Sequence, residues 1–280
     1  MPATGLPASH HQSFSIFLTL IMVAAAILYA RGWFQLHAEP EHKNPVWEPT
    51  LFVSGLFLVW AALESPMAAM DHQFLTIHMA KHLLLMTVAP ALILLASPVT
   101  TIALGLPKQF VTGFLLPVLR WSVVRRLGRF FAKPIVCWLA ATGVLIGWHI
   151  PDIFTLALRS PVVHSIEHFS FIFAGFLFWW PVLQPWPAMA FQSRWLVLLY
   201  LFLATLPCDI LSAYLTFCDR VVYTNYLSMP RATTISVLRD QEFAGALMWT
   251  CVTIVYLVPA SILTVRLLAP DNRTRPPDNS

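Results

Sequence analysis

The apolar residues of this chain come in long blocks, with neither strand-like alternation nor a one-sided helical stripe. Continuous apolar runs occupy 14–30, 51–70, 74–96, 134–150, 162–183, 195–215 and 243–263. A helix needs about 20 mostly apolar residues to cross the hydrocarbon core, so each block predicts a membrane span. The expected fold is all-α, a polytopic membrane helical bundle of about seven transmembrane helices. The block at 134–150 is short and runs into Pro151, and the block at 51–70 carries Glu64 and Pro66 near its end. Residues 99–119 are also apolar, but Gly105, Pro107 and Lys108 interrupt them, which predicts a loop with an interfacial helix.

Composition agrees with this reading. Of the 280 residues, 58% are hydrophobic and 11% charged, more apolar surface than a soluble domain can hide. The net charge of +4 therefore does not point to nucleic acid; the basic residues read as anchors against anionic lipid. Lys108, Arg120, Arg125, Arg126, Arg129 and Lys133 all fall between the third and fourth blocks, which predicts a cytoplasmic loop there. Arg31, Lys43, Arg194, Arg266, Arg273 and Arg275 then fall on the same side, twelve of the seventeen basic residues in all. Arg159, Arg220, Arg231 and Arg239 are exceptions. The N-terminus is expected outside and the C-terminus in the cytoplasm. The expected division is an external segment at 1–13, a bundle at 14–268 and a disordered, polar, Pro-rich tail at 269–280. Residues 1–13 carry no Lys or Arg, so the first block reads as a retained span, not a cleaved signal.

That topology puts the ionisable residues on one side. Asp71 and His72 open the third block, with His78 and His82 inside it; His149 ends the fourth; His164, Glu167 and His168 open the fifth; Asp209 lies in the outer half of the sixth; Asp240 and Glu242 precede the seventh. Each pair at i, i+4, His78 with His82 and His164 with His168, leaves one face of its helix. Two such pairs with His149 could surround one metal ion: His78, His82, His149, His164 and His168 are the candidate ligands. Asp71, His72, Glu167, Asp240 and Met248 would orient the rings or guard access. Imidazole suits copper, iron and zinc, and Met67, Met70, Met79 and Met248 favour copper. The bland alternative is a set of packed, hydrogen-bonded histidines and core methionines. Lys81 opposes a cation unless a carboxylate neutralises it.

Pro151 has no N–H, so the helix carrying Trp148-His149-Ile150 should kink or stop there, turning His149 toward a cavity. Cys137, Cys208, Cys218 and Cys251 form no C-x-x-C pair and read as small buried apolar residues, with Cys208 and Cys218 as possible thiol ligands or a disulfide. Trp179, Trp180, Trp186 and Trp195 fit an interfacial aromatic belt.

Four separated motifs carry a resemblance. They are His78-Met79-Ala80-Lys81-His82 with Ala89-Pro90 behind it; Trp148-His149-Ile150-Pro151; His164-Ser165-Ile166-Glu167-His168 leading to Phe178-Trp179-Trp180-Pro181; and Asp240-Gln241-Glu242-Phe243-Ala244-Gly245-Ala246-Leu247-Met248-Trp249. In this order and spacing, over roughly 51–265, the chain resembles the multispanning CtaG family of bacterial assembly factors for caa-type cytochrome c oxidase. Two positions depart from the pattern: Lys81, where a neutral polar residue is expected, and Glu242. The resemblance implies a multi-pass protein of the bacterial plasma membrane that is not an enzyme. Its partners would be cytochrome c oxidase subunits, toward which it would handle copper. The motif residues carried over are His78, His82, His149, His164, His168 and Asp240.

Two other readings stay open. One His from each helix could ligate haem b in a membrane redox subunit. Alternatively the chain is a ligand-free assembly scaffold. No paired broken helices mark the inverted repeat of a transporter.

Overall fold

The computed structural model describes residues 8–38, 45–66, 70–183, 193–230 and 233–268. The predicted tail, Met67 and Trp186 lie outside these residues. Among the described residues the regular secondary structure is helical, without a strand. The helices are α1 (Ala8–His37), α2 (Glu48–Glu64), α3 (Leu75–Leu95), α4 (Pro98–Gly105), α5 (Lys108–Arg120), α6 (Ser122–Phe131), α7 (Pro134–Trp148), α8 (Pro151–Arg159), α9 (Pro161–Leu183), α10 (Arg194–Phe217) and α11 (Val237–Leu268).

Among the described residues five stretches are long and apolar enough to cross a membrane: Ser15–His37 within α1, Leu75–Leu95, Pro161–Leu183, Trp195–Phe217 and Val237–Leu268. Two bent pairs, α4 with α5 and α6 with α7, raise the number to seven if each is one span. With 17 residues, α2 sits at the lower limit for crossing.

Residues 99–119, expected as a loop with an interfacial helix, carry helix on both sides of a 115° bend at Leu106 and Pro107. The reason lies in α1. A Cβ on Gly32 would collide with the Thr101 carbonyl, and one on Gly105 with the Leu28 carbonyl, so two glycines let α4 lie directly on α1. Small residues at a crossing are how helices gain packing where lipid removes the hydrophobic drive.

Two prolines shape the helices that carry the histidines. Pro90 cannot donate to the preceding turn, and α3 passes through a π-helical turn at Leu84–Val88 just before it. The Met86 carbonyl on that turn lies against Gly175 of α9, where a Cβ would clash. Pro151 ends α7 as the sequence predicts. Its last turn tightens, with His149 N–H donating to Ile146 O at 3.1 Å and Ile150 N–H to Gly147 O at 3.3 Å, and α8 begins at Pro151.

The starts of α3, α9 and α11 and the ends of α7 and α10 meet at one end of the bundle. The segment between α10 and α11 folds over this end, burying Tyr223 and Tyr226. The tryptophans separate: Trp195 is exposed, but Trp179 is buried against Phe178 and Tyr256, so packing and not an interfacial belt explains it.

Candidate metal centre

The site begins with two helix faces. The i, i+4 spacing puts His78 and His82 on one face of α3 with ring centroids 4.3 Å apart, and His164 and His168 on one face of α9, also 4.3 Å apart. The faces meet. His78 stacks nearly parallel to His164 at 5.7 Å, and His82 lies 6.0 Å from His168.

Glu167 stands between them, fully buried. Its Oε1 is 3.6 Å from His78 Nε2 and 3.4 Å from His82 Nε2, and its Oε2 is 3.8 Å from His164 Nε2. Asp71 faces the same ring of His164 at 3.5 Å. Among the described residues three sets have potential ligand atoms that, within each set, lie within 4.8 Å of one another: Asp71, His78 and His164; His78, His82 and Glu167; His164, Glu167 and His168. The His72 side chain is 46% exposed and that of His164 15%, whereas those of His82 and His78 are 5% and 0% exposed. His72, 3.7 Å from Asp71, is therefore the outermost ring.

The Glu167 separations exceed hydrogen-bond reach. Both ring nitrogens of His78 and of His82, His164 Nε2, His168 Nε2 and both Glu167 oxygens are buried with no hydrogen-bond partner. Buried polar atoms are normally satisfied, and one left without a partner costs about 1–3 kcal/mol. Packed histidines that serve only structure would not leave eight such atoms around one point. Donors bound to a common tetrahedral ion at about 2.0–2.1 Å stand roughly 3.3 Å apart, close to what is found here. The residues present fit a cation.

Lys81 is accounted for. Its ammonium forms a buried ion pair with Asp71, so its charge is compensated, while neither Glu167 oxygen has a hydrogen-bond partner. Burial alone would push the Asp71 carboxyl up, but Lys81, His78 and His164 outweigh it and hold the group below its usual 3.8.

Other predicted residues have different places. Asp240 forms no part of the cluster: it accepts from Leu75 N–H at 2.8 Å, Thr76 N–H at 3.2 Å and Thr76 Oγ1 at 2.7 Å, closing the start of α3. His149 lies 6.2 Å from His82, centroid to centroid, and belongs to none of the three sets. Met248 is buried and lines, with Met79, Met86, His82 and His149, a cavity of about 30 Å³. Cys208 lines it too, and all four cysteines are free.

Sequence reasoning missed the groups that hold the cluster together. Tyr226 OH donates to the Asp71 carbonyl at 2.8 Å, and Tyr223 OH to the His149 carbonyl at 3.1 Å. Burial, and then the nearby carboxylates, push the Tyr226 phenol well above its usual 10, so it stays a donor. Gln241 accepts from Val222 N–H and donates to the Leu215 and Arg220 carbonyls, pinning the covering segment. Trp148 Nε1 donates to Ser170 Oγ at 2.7 Å, tying α7 to α9. The signal for the tyrosines was their i, i+3 spacing in the link between α10 and α11.

Among curated proteins the chain is similar to Uncharacterized protein Mb0105 of Mycobacterium bovis and Uncharacterized protein MT0111 of Mycobacterium tuberculosis, each 24% identical over 261 residues. Uncharacterized protein ML1998 of Mycobacterium leprae is 21% identical over 270 residues. Each match covers 90% of this chain but 38% of the relative, so the chain spans well under half the length of these proteins. No solved structure matches the chain significantly. The model of one family, described as cytochrome c oxidase caa3 assembly factor (Caa3_CtaG), matches residues 27–269 and takes in every histidine of the cluster. On that match, and with the helical bundle it accompanies, the chain belongs to the cytochrome c oxidase caa3 assembly factor family.

Proposed function

We propose that this protein works in the bacterial plasma membrane as an assembly factor for cytochrome c oxidase, with the oxidase subunits as partners, and that it does so by handling copper. His78, His82, His164 and His168 with Glu167 hold the ion, and Asp71 keeps Lys81 from repelling it. The observation that carries this reading is Glu167, buried among three imidazole nitrogens with neither oxygen hydrogen-bonded. A buried carboxylate without a partner is costly, and a cation shared with the imidazoles removes the cost. The ligand set, imidazole with a carboxylate and thioethers nearby, suits copper. His72 and His164 form the exposed approach. The ion is exchanged, not turned over, so the reading is not enzymatic.

The haem alternative finds less support. Between the two histidine pairs stands Glu167, and the neighbouring cavity of about 30 Å³ holds a water or two, not a porphyrin.

The test is oxidase assembly in cells lacking the endogenous protein. A copy carrying His78→Ala and His82→Ala should reach the membrane in normal amount yet leave oxidase activity strongly reduced, with partial recovery in copper-supplemented medium. Full oxidase activity with that copy would overturn the metal reading in favour of a ligand-free scaffold.

A further inference from the structure

His149 lies apart from the carboxylates, and its two ring nitrogens have different neighbours. Nδ1 is 2.6 Å from the carbonyl oxygen of Leu145, one turn back on α7. A carbonyl only accepts, so the proton of a neutral ring must sit on Nδ1. Nε2 then carries a bare lone pair. It points at the thioether of Met79, with 3.2 Å between Nε2 and Sδ. Both groups are buried. Thioether sulfur is itself an acceptor, so two lone pairs face each other with no proton between them. A neutral histidine packed for structure alone would turn its N–H to the sulfur, and the Leu145 carbonyl prevents that.

We infer that His149 and Met79 form a second, separate metal subsite, selective for a soft monovalent cation such as Cu(I). Imidazole and thioether are the donors such a cation prefers, and neither brings a charge that would favour a divalent ion. Donors at about 2.0 and 2.3 Å from a common ion lie roughly 3.5 Å apart at a tetrahedral angle, so the pair need open only slightly. The same small cavity is lined by Met86, Met248 and Cys208, which supply further soft sulfur. His82 also lines it while facing Glu167 at 3.4 Å, so one imidazole belongs to both environments. The bundle thus offers an oxygen- and nitrogen-rich site and, adjoining it through His82, a sulfur-containing one. This goes beyond the cluster assignment and stands on the His149–Met79 pair alone.

The test uses the full chain purified in detergent under anaerobic conditions, titrated separately with chelator-buffered Cu(I) and with Zn(II). The wild type should take up Cu(I), with sulfur and imidazole nitrogen in its X-ray absorption shell. Met79→Leu, which keeps volume and apolarity, should weaken Cu(I) binding at least tenfold and leave Zn(II) uptake intact. Met79→Cys, which keeps a sulfur donor, should retain Cu(I). Unchanged Cu(I) affinity in Met79→Leu overturns the inference, as does equal loss in Met79→Leu and Met79→Cys. Wild-type protein that binds Cu(I) through Met79 but takes up no Zn(II) would count against the histidine–carboxylate cluster and leave this subsite standing.

Discussion

Asp240 closes the start of α3 from 165 residues away, its Oδ2 accepting the Leu75 N–H at 2.8 Å. The first turn of any α-helix has N–H groups with no internal partner, and a carboxylate there satisfies them and complements the helix dipole. Replacing such a cap by alanine costs about 0.5–2 kcal/mol. Asp240→Ala should therefore lower the thermal midpoint in detergent by that equivalent, and Asp240→Asn, which keeps an acceptor, by less. Metal stoichiometry at saturation should be unchanged in both, because Asp240 belongs to none of the three ligand sets.

The Lys81–Asp71 ion pair predicts strong non-additivity. Removing one partner of a buried pair leaves the other charge uncompensated, at about 3–5 kcal/mol, whereas removing both can be close to neutral. Lys81→Met alone should destabilise sharply, and Lys81→Met with Asp71→Asn should recover most of the loss. A double-mutant cycle from chemical unfolding reads the coupling, and additive effects would refute it.

The same pair sets a pH dependence. The folded Asp71 carboxyl titrates below its usual 3.8. A depressed carboxyl contributes stability that is fully present above its unfolded pKa and disappears as pH falls through the folded one. The stability difference between wild type and Asp71→Asn should be level above about pH 5 and shrink below about pH 4. Thermal midpoints measured from pH 3 to 7 check this, and a difference that grows on acidification would contradict it.

Gly175 supports the geometry from a distance. A methyl group there meets the Met86 carbonyl, so Gly175→Ala must push α9 away from α3. Overpacking of this kind costs about 1–3 kcal/mol. The change also spreads the two histidine pairs, so metal affinity should fall with stability. Isothermal titration with Zn(II) distinguishes this from a purely local defect.

Much of this arrangement is legible in the sequence because lipid simplifies the code. Blocks of apolar residues mark the helices, and within them any His or acid stands out; the i, i+4 spacing of His78 with His82 and of His164 with His168 then fixes their faces. Pro151 announces the end of α7 through its missing N–H. Pairing between distant elements is harder to read. Nothing near Asp240 in the chain indicates that it serves Leu75, and nothing near Lys81 reveals that Asp71 turns back to neutralise it. Residues 99–119 looked like a loop because Gly105 and Pro107 break helices locally; that Gly105 exists to let α4 touch α1 depends on Gly32, which is remote in sequence.

The central claim is that the α3 and α9 histidines with Glu167 bind one metal ion. The direct measurement is the metal content of detergent-purified protein after copper loading and desalting, for wild type and for Glu167→Gln with His82→Ala. Wild type should retain copper bound through nitrogen and oxygen, and the double variant should lose that copper while remaining folded and monodisperse. Equal copper content in the two proteins, or none of it bound through nitrogen and oxygen in the wild type, would contradict the account.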